Sequence, residues 1–235
     1  MCGRFVQERS NAELAELFDA ESLVDDPGGH YNLAPTDPAA VVVQRGSRRG
    51  LTAYGWGLVP HWAERFSVGA RSINARSETI ATSPTFRESF ARRRCLVPAD
   101  GFYEWRREEG RRQPFLIRRR DRLPLAFAGL WAGWSDPESG EVRRTFSIVT
   151  TGANTLIATL HDRMPVVLDS DAWERWLDPK LSDPAELLGL LAAAPDEGLE
   201  VFTVAPLVNS VRNNGPALIE PQPEPLTVQV SAELV

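Results

Sequence analysis

The chain has 235 residues, 43% hydrophobic and 25% charged, with a formal net charge of −6. That length and apolar content support one large domain or two small ones around a substantial core. Two cysteines are not a disulfide framework. No run of 18 apolar residues offers a membrane span, and the N-terminus lacks the basic-then-apolar pattern of a secretory signal. A reducing cytoplasm is the expected compartment, and it would keep a thiol reactive. With three histidines and two cysteines there is no cluster at zinc spacing, so no metal or cofactor is expected.

The net charge argues weakly against a nucleic-acid partner, but it averages two unlike halves. Residues 1–150 carry 22 Arg against 19 acidic residues, whereas residues 151–235 hold three Arg, one Lys and 13 acidic residues. Arginine therefore supplies nearly all the positive charge, and its planar fork suits phosphate. A solvated, salt-bridged surface fits the same composition.

In chain order, Ser10-Asn11-Ala12-Glu13 is a capping box that predicts a short helix to about Asp19. Residues 21–38, rich in Asp, Gly and Pro, read as a loop. Apolar, β-branched or alternating runs at 39–44, 51–58, 95–99, 101–106, 114–119, 125–134 and 143–151 read as strands. Helices are predicted at 85–94, 171–177 and 183–193, the last with Pro184 at its first position. Late strands are predicted at 199–204 and 226–231. Strands dominate, and helices do not alternate with them. The pattern indicates an α+β fold with a largely antiparallel sheet. No repeat or low-complexity linker divides the chain, so residues 1–235 form one domain.

Cys2 directly follows Met1, and a small second residue permits removal of the methionine. The chain would then begin with an amine (pKa about 7.7–8.0) and a thiol (about 8.5) on adjacent carbons. Such a pair can capture an aldehyde as a Schiff base and close it to a thiazolidine. A frayed terminus would make Cys2 an ordinary residue instead.

Four segments place polar residues inside strand-like or turn-like sequence: Cys2-Gly3-Arg4-Phe5, Ile73-Asn74-Ala75-Arg76-Ser77-Glu78, Pro98-Ala99-Asp100-Gly101-Phe102-Tyr103-Glu104-Trp105 and Leu160-His161-Asp162-Arg163-Met164-Pro165. His161 is a natural acid/base, although a packed histidine in a turn fits its spacing too. Glu104 lies between two aromatics, and strict alternation turns it away from both. If that face is enclosed, its pKa rises toward neutrality; an exposed strand glutamate is the alternative. Asn74 can orient an amine or bond sugar hydroxyls, or simply end a strand. Cys95, in an apolar run, reads as core.

These segments resemble the signature of the SOS-response-associated peptidase (SRAP) family, the abasic-site processing proteins. Tyr31-Asn32-Leu33-Ala34-Pro35, Trp56-Gly57-Leu58-Val59-Pro60-His61-Trp62, Ile148-Val149-Thr150-Thr151 and Asn214-Gly215-Pro216-Ala217-Leu218-Ile219 extend the likeness from residue 2 to about 221, in family order. The resemblance implies a distorted barrel-like core of mostly antiparallel sheets with flanking helices. It implies a self-crosslinking protein for abasic sites in single-stranded DNA, with Cys2, Asn74, Glu104 and His161 as catalytic residues. It assigns DNA contacts to Arg4, Arg76, Arg163, Trp62, Pro35 and Thr150. Pro84 departs from relatives with a basic residue there, and Arg87 is the candidate substitute. Strand cleavage on ring reopening and a self-processing peptidase activity belong to the same expectation. The competing reading is an N-terminal-nucleophile peptidase using Cys2, and a third is a non-covalent single-strand binder. A monomer is the default.

Overall fold

The computed structural model describes residues 2–108 and 111–222. Strand β1 (Phe5–Gln7) leads into helix α1 (Asn11–Leu17), where Ser10 accepts from the Glu13 amide and the Glu13 carboxylate accepts from the Ser10 amide. The capping box is therefore formed as read. Strands β2 (Ala20–Ser22), β3 (His30–Leu33), β4 (Pro38–Arg45), β5 (Arg48–Trp56) and β6 (Asn74–Arg76) follow. After helix α2 (Arg87–Arg92) come β7 (Arg94–Ala99), β8 (Gly101–Glu108), β9 (Arg111–Arg119), β10 (Leu125–Ser135) and β11 (Val142–Gly152). The chain continues through α3 (Thr155–Ala158), β12 (Arg163–Pro165), α4 (Trp173–Leu177), α5 (Pro184–Leu188) and β13 (Leu199–Thr203).

The larger sheet closes on itself. Its neighbours run β11–β10–β7–β4–β5, and β5 returns to β11 through a short parallel pairing of Gly55 with Thr145 and Trp56 with Phe146. The result is a five-stranded barrel within an α+β fold, its other ring pairings antiparallel. Alternation along its strands sorts two cores. Val41, Val43, Cys95, Val97, Phe127, Phe146 and Ile148 form one cluster with Cys2, Phe5 and Phe102 from β1 and β8. Ala40, Val42, Leu96, Ala128, Leu130 and Val149 form the other, covered by Leu14 and Phe18 of the α1 region, Phe90 of α2, Trp176 of α4 and Leu187 of α5. The second sheet, β13–β9–β8–β1–β3, packs its far face as a third cluster around Tyr103 and Leu116.

Several elements differ from the sequence reading. The loop expected over 21–38 contains β3 and part of β2. These strands are only three or four residues long and exist through pairing with β1 and β5. Strands β6 and β12 were likewise unread, and both dock on β11. The helix expected over 85–94 is confined to α2, because Arg94 already belongs to β7. The helix expected over 183–193 stops at Leu188, before Gly189, a poor helix former. The strand expected at 226–231 lies outside the described residues.

Candidate functional site

Four pieces of chain meet at one end of the barrel. Strand β1 brings in Cys2 and pairs antiparallel with β8, Phe5 opposite Phe102, and the Tyr103 amide donates to the Arg4 carbonyl (3.0 Å). This pairing carries Glu104 to the Cys2 end of β1. Strands β6 and β12 flank β11, aligning Asn74 with Ile148 and Arg163 with Gly152. His161 stands in the turn just before β12.

Cys2 is fully buried. The Asn74 amide donates from Nδ2 to the Cys2 carbonyl at 2.9 Å, while its Oδ1 is buried without a hydrogen-bond partner among the described residues. The Cys2 thiol is pushed well up, first by burial and then by the charge of Glu104. Glu104 is itself 3% exposed and shares its face of β8 with Phe102, turned away from Tyr103 and Trp105. Burial raises its carboxyl to about 7, against the pull of the positive chain terminus. The enclosed face required by the sequence argument is therefore present.

His161 is half-buried. Its Nδ1 accepts from the Arg163 amide (3.0 Å), so the neutral ring carries its proton on Nε2. Asp162 Oδ1 lies 2.8 Å from the same nitrogen and would accept from it in the imidazolium. Burial, then the positive chain terminus, holds the imidazole below its usual pKa, with Asp162 opposing. Asp162 raises the pKa of both Glu104 and His161, which places the two in one electrostatic neighbourhood.

The six residues assigned to DNA are placed differently from one another. Arg76 is exposed, and no hydrogen bond or ion pair engages its side chain among the described residues. Trp62 is 57% exposed. It rides on a loop anchored by Leu58 N–H to Ser72 O, Val59 N–H to Thr145 Oγ1, and the Trp134 indole to Ala63 O. Gly57 begins that loop at φ +132°, where a side chain would be strained and a Cβ would lie 2.7 Å from Gly69 O. Pro35 precedes Thr36, a β-branched residue held at φ +80° by hydrogen bonds tying the turn to Trp56. Arg4 and Arg163 are committed inward. Arg4 donates to Asn32 Oδ1 (2.6 Å) and Val208 O (2.9 Å) and lies over the Trp105 ring. Arg163 grips Glu78 with both terminal nitrogens and donates to Thr150 O (2.7 Å). Thr150 is fully buried, its hydroxyl 3.4 Å from the same guanidinium.

Sequence reasoning missed two structural polar groups. Arg94, the last of three consecutive arginines, is 3% exposed and donates to the carbonyls of Phe90, Ala91, Trp176, Asp178 and Leu181. Its position at the start of an apolar strand was the available signal. Asn32 donates to the carbonyls of Val208, Ser210 and Asn213, fastening the C-terminal segment beside Arg4. Among the described residues no three His, Cys, Asp or Glu side chains converge as a metal site. No helix among them is long and apolar enough to cross a membrane.

The comparisons agree with this architecture. The family model described as SOS response associated peptidase (SRAP) matches residues 1–211. Abasic site processing protein YoqW of Bacillus subtilis (strain 168) is 39% identical over 223 residues, spanning 94% of this chain and 99% of that protein. Abasic site processing protein YedK of Escherichia coli (strain K12) is 33% identical, spanning 94% and 100%. Abasic site processing protein HMCES of Gallus gallus is 32% identical and covers 81% of this chain and 66% of that protein. A crystal structure of a protein from Bacteroides thetaiotaomicron superposes with a TM-score of 0.84 at 26% identity, over 94% of this chain and all of that one. A family match over nearly the whole described chain, joined to these identities, shows that the chain belongs to the SOS response associated peptidase family.

Proposed function

We propose that this protein processes abasic sites by covalent capture. After removal of Met1, Cys2 would bind the ring-opened deoxyribose of an abasic site in single-stranded DNA and close it into a thiazolidine. The observation carrying this reading is the Asn74 amide. Its donor end fixes the Cys2 carbonyl while its acceptor end is buried and, among the described residues, unpaired; the Cys2 thiol in turn feels a carboxyl held at about 7.

The chemistry follows from these residues. An abasic deoxyribose is mostly a closed hemiacetal, so C1′ becomes an aldehyde only when its hydroxyl loses a proton and the ring oxygen gains one. Neutral His161, with its proton on Nε2, is suited to donate to that oxygen. Glu104, near half-ionised at neutral pH, takes the proton that the Cys2 ammonium must lose. The amine adds to C1′, water leaves, and an imine remains. The Cys2 sulfur then bonds to C1′ while the thiol proton passes to the imine nitrogen. The net change is loss of one water. Asn74 Oδ1 accepts from a sugar hydroxyl freed by ring opening. The closed ring lacks the iminium charge that drives β-elimination, so the strand stays intact; reopening restores a slow lyase route.

Arg76 and Trp62 are the proposed first contacts with phosphate and base, at about 1–3 kcal/mol per stacked base. Arg4 and Arg163 would hold the site's walls and meet phosphate with whatever donor capacity their internal partners leave. Glu78 and Thr150 would position Arg163, and Pro35 would present the strained Thr36 turn beside the bases.

A thiol peptidase is less well supported, since it needs a lowered thiol pKa and Cys2 is pushed the other way. The test is intact mass after incubation with single-stranded DNA bearing one abasic site. The expected product lacks Met1, gains the DNA less one water, and survives denaturation. Demethionylated protein with no adduct would overturn the reading.

A further inference from the structure

The ring that holds the Cys2 site at one end has a second opening. There, Tyr54 of β5 and Trp131 of β10 face each other, ring centroids 5.6 Å apart and tilted 47°. They sit with Arg45 and Arg144 in a cavity of about 400 Å³ whose lining includes no carboxylate. Arg144 lies six residues before Thr150 on β11, so the mouth is about 20 Å from the lesion site along that strand. Arg143, on the opposite face of β11, lies over Phe66 (5.2 Å). The strand itself therefore separates this cavity from the Trp62 loop.

Four features of this mouth are unexplained by packing. Trp56, Trp105, Trp134, Trp173 and Trp176 each donate their indole N–H to a protein acceptor. Trp131 does not, among the described residues, and in this it matches exposed Trp62. Tyr54 is only 8% exposed, yet its hydroxyl has no partner among the described residues. Arg45 and Arg144 are exposed and engage no carboxylate among those residues. Both are close enough to hold down the Tyr54 pKa, which burial raises. Arg45 ends the β4 arm of a two-residue hairpin whose Gly46 has φ +61°. The tight turn fixes where that arm ends, at the rim of the cavity.

We propose that this mouth is a second nucleotide site, the base resting on Tyr54 and Trp131 and the phosphate held by Arg45 and Arg144. The volume lies within the range of small-ligand pockets. Aromatic faces beside unpaired arginines are the elements that bind a base and its phosphate without reading sequence. The phenol and indole N–H supply polar contacts to the base edge. The source is a free nucleotide or one nucleotide of a strand. The site does not depend on covalent capture at Cys2.

The experiment titrates the full-length protein with thymidine 5′-monophosphate, with an undamaged eight-nucleotide oligo-dT, and with inorganic phosphate, following tryptophan indole N–H signals by NMR. The Trp131 signal should shift saturably with a nucleotide. Arg45→Ala with Arg144→Ala should weaken that binding by about tenfold or more, with the rest of the spectrum preserved. Tyr54→Phe should weaken it less. Saturation by the monophosphate alone supports a free-nucleotide site, and tighter binding of the oligomer supports a strand site. A Trp131 signal unmoved by either, an unaltered double variant, or phosphate binding as tightly as the monophosphate would overturn the proposal.

Discussion

Cys2 and Cys95 lie in the same apolar cluster, both fully buried, and burial pushes both thiols up. Their surroundings separate them. For Cys95, burial is the sole cause of the shift, and a Cβ added at Gly129 on the paired strand would lie 2.7 Å from its sulfur. Cys2 has an amide on its carbonyl and a carboxyl near neutrality beside it. If Cys2 is the nucleophile proposed above, burial and thiol acidity do not distinguish it from the structural Cys95. The polar groups facing the backbone end of the residue do.

The largest expected effect breaks the comparison outright. Cys2→Ala should abolish the denaturation-resistant adduct on abasic single-stranded DNA. Cys95→Ala should leave adduct yield intact and cost about 1–2 kcal/mol of stability in a denaturant titration. Equal adduct yields from wild type and Cys2→Ala would remove Cys2 from the chemistry.

Next comes Glu104→Gln, expected to slow adduct formation by about 10²–10³-fold and to erase a rate limb centred near pH 7. Its linked effect on stability has the opposite sign. The folded carboxyl titrates near 7 and its unfolded form near 4.5, so across that window the folded state binds more protons. Stability contributed by this group then falls as pH rises through the window, by up to about 3 kcal/mol. Glu104→Gln should flatten that decline in urea midpoints measured from pH 5 to 8. A decline as steep as that of wild type would show that Glu104 is not the titrating group.

Asn74→Ala should slow capture by about tenfold through loss of the hold on Cys2, a deficit of one hydrogen bond. Wild-type single-turnover rates in this variant would leave its buried Oδ1 without a role. The smallest effect belongs to Arg76→Ala, which should reduce the slope of log affinity against log salt by about 1 for single-stranded DNA of any sequence. An unchanged slope would move the phosphate contact to another arginine.

What could be read in advance was local. Ser10 and Glu13 announce their helix because both halves of the capping box lie within four residues. Glu104 announces its buried face because strand alternation is strict between Phe102 and Trp105. What could not be read depended on partners distant in sequence. Strands β2, β3, β6 and β12 have too few residues to carry a pattern and are defined by what they pair with. Arg94 resembled its neighbours Arg92 and Arg93 until α4 and the following turn supplied carbonyls for it. Likewise, the resemblance assigns Arg4 and Arg163 to DNA, while the Asn32 and Glu78 that hold them within the fold are far off in sequence and could not be read.

The barrel closes through a parallel pairing of only two residue pairs, between β5 and β11, some ninety positions apart. A contact of that span forms late and slowly. At about 5–20 residues per second, the ribosome needs on the order of ten to thirty seconds after making Cys2 to reach His161. For the earlier part of that interval, until residue 108 has been made, β1 has no β8 to dock against. The nascent N-terminus is then open to an aminopeptidase. On the proposed function, the same delay keeps the amine-thiol pair from meeting its acid and base until residue 161 has been made, so capture waits on the completed barrel.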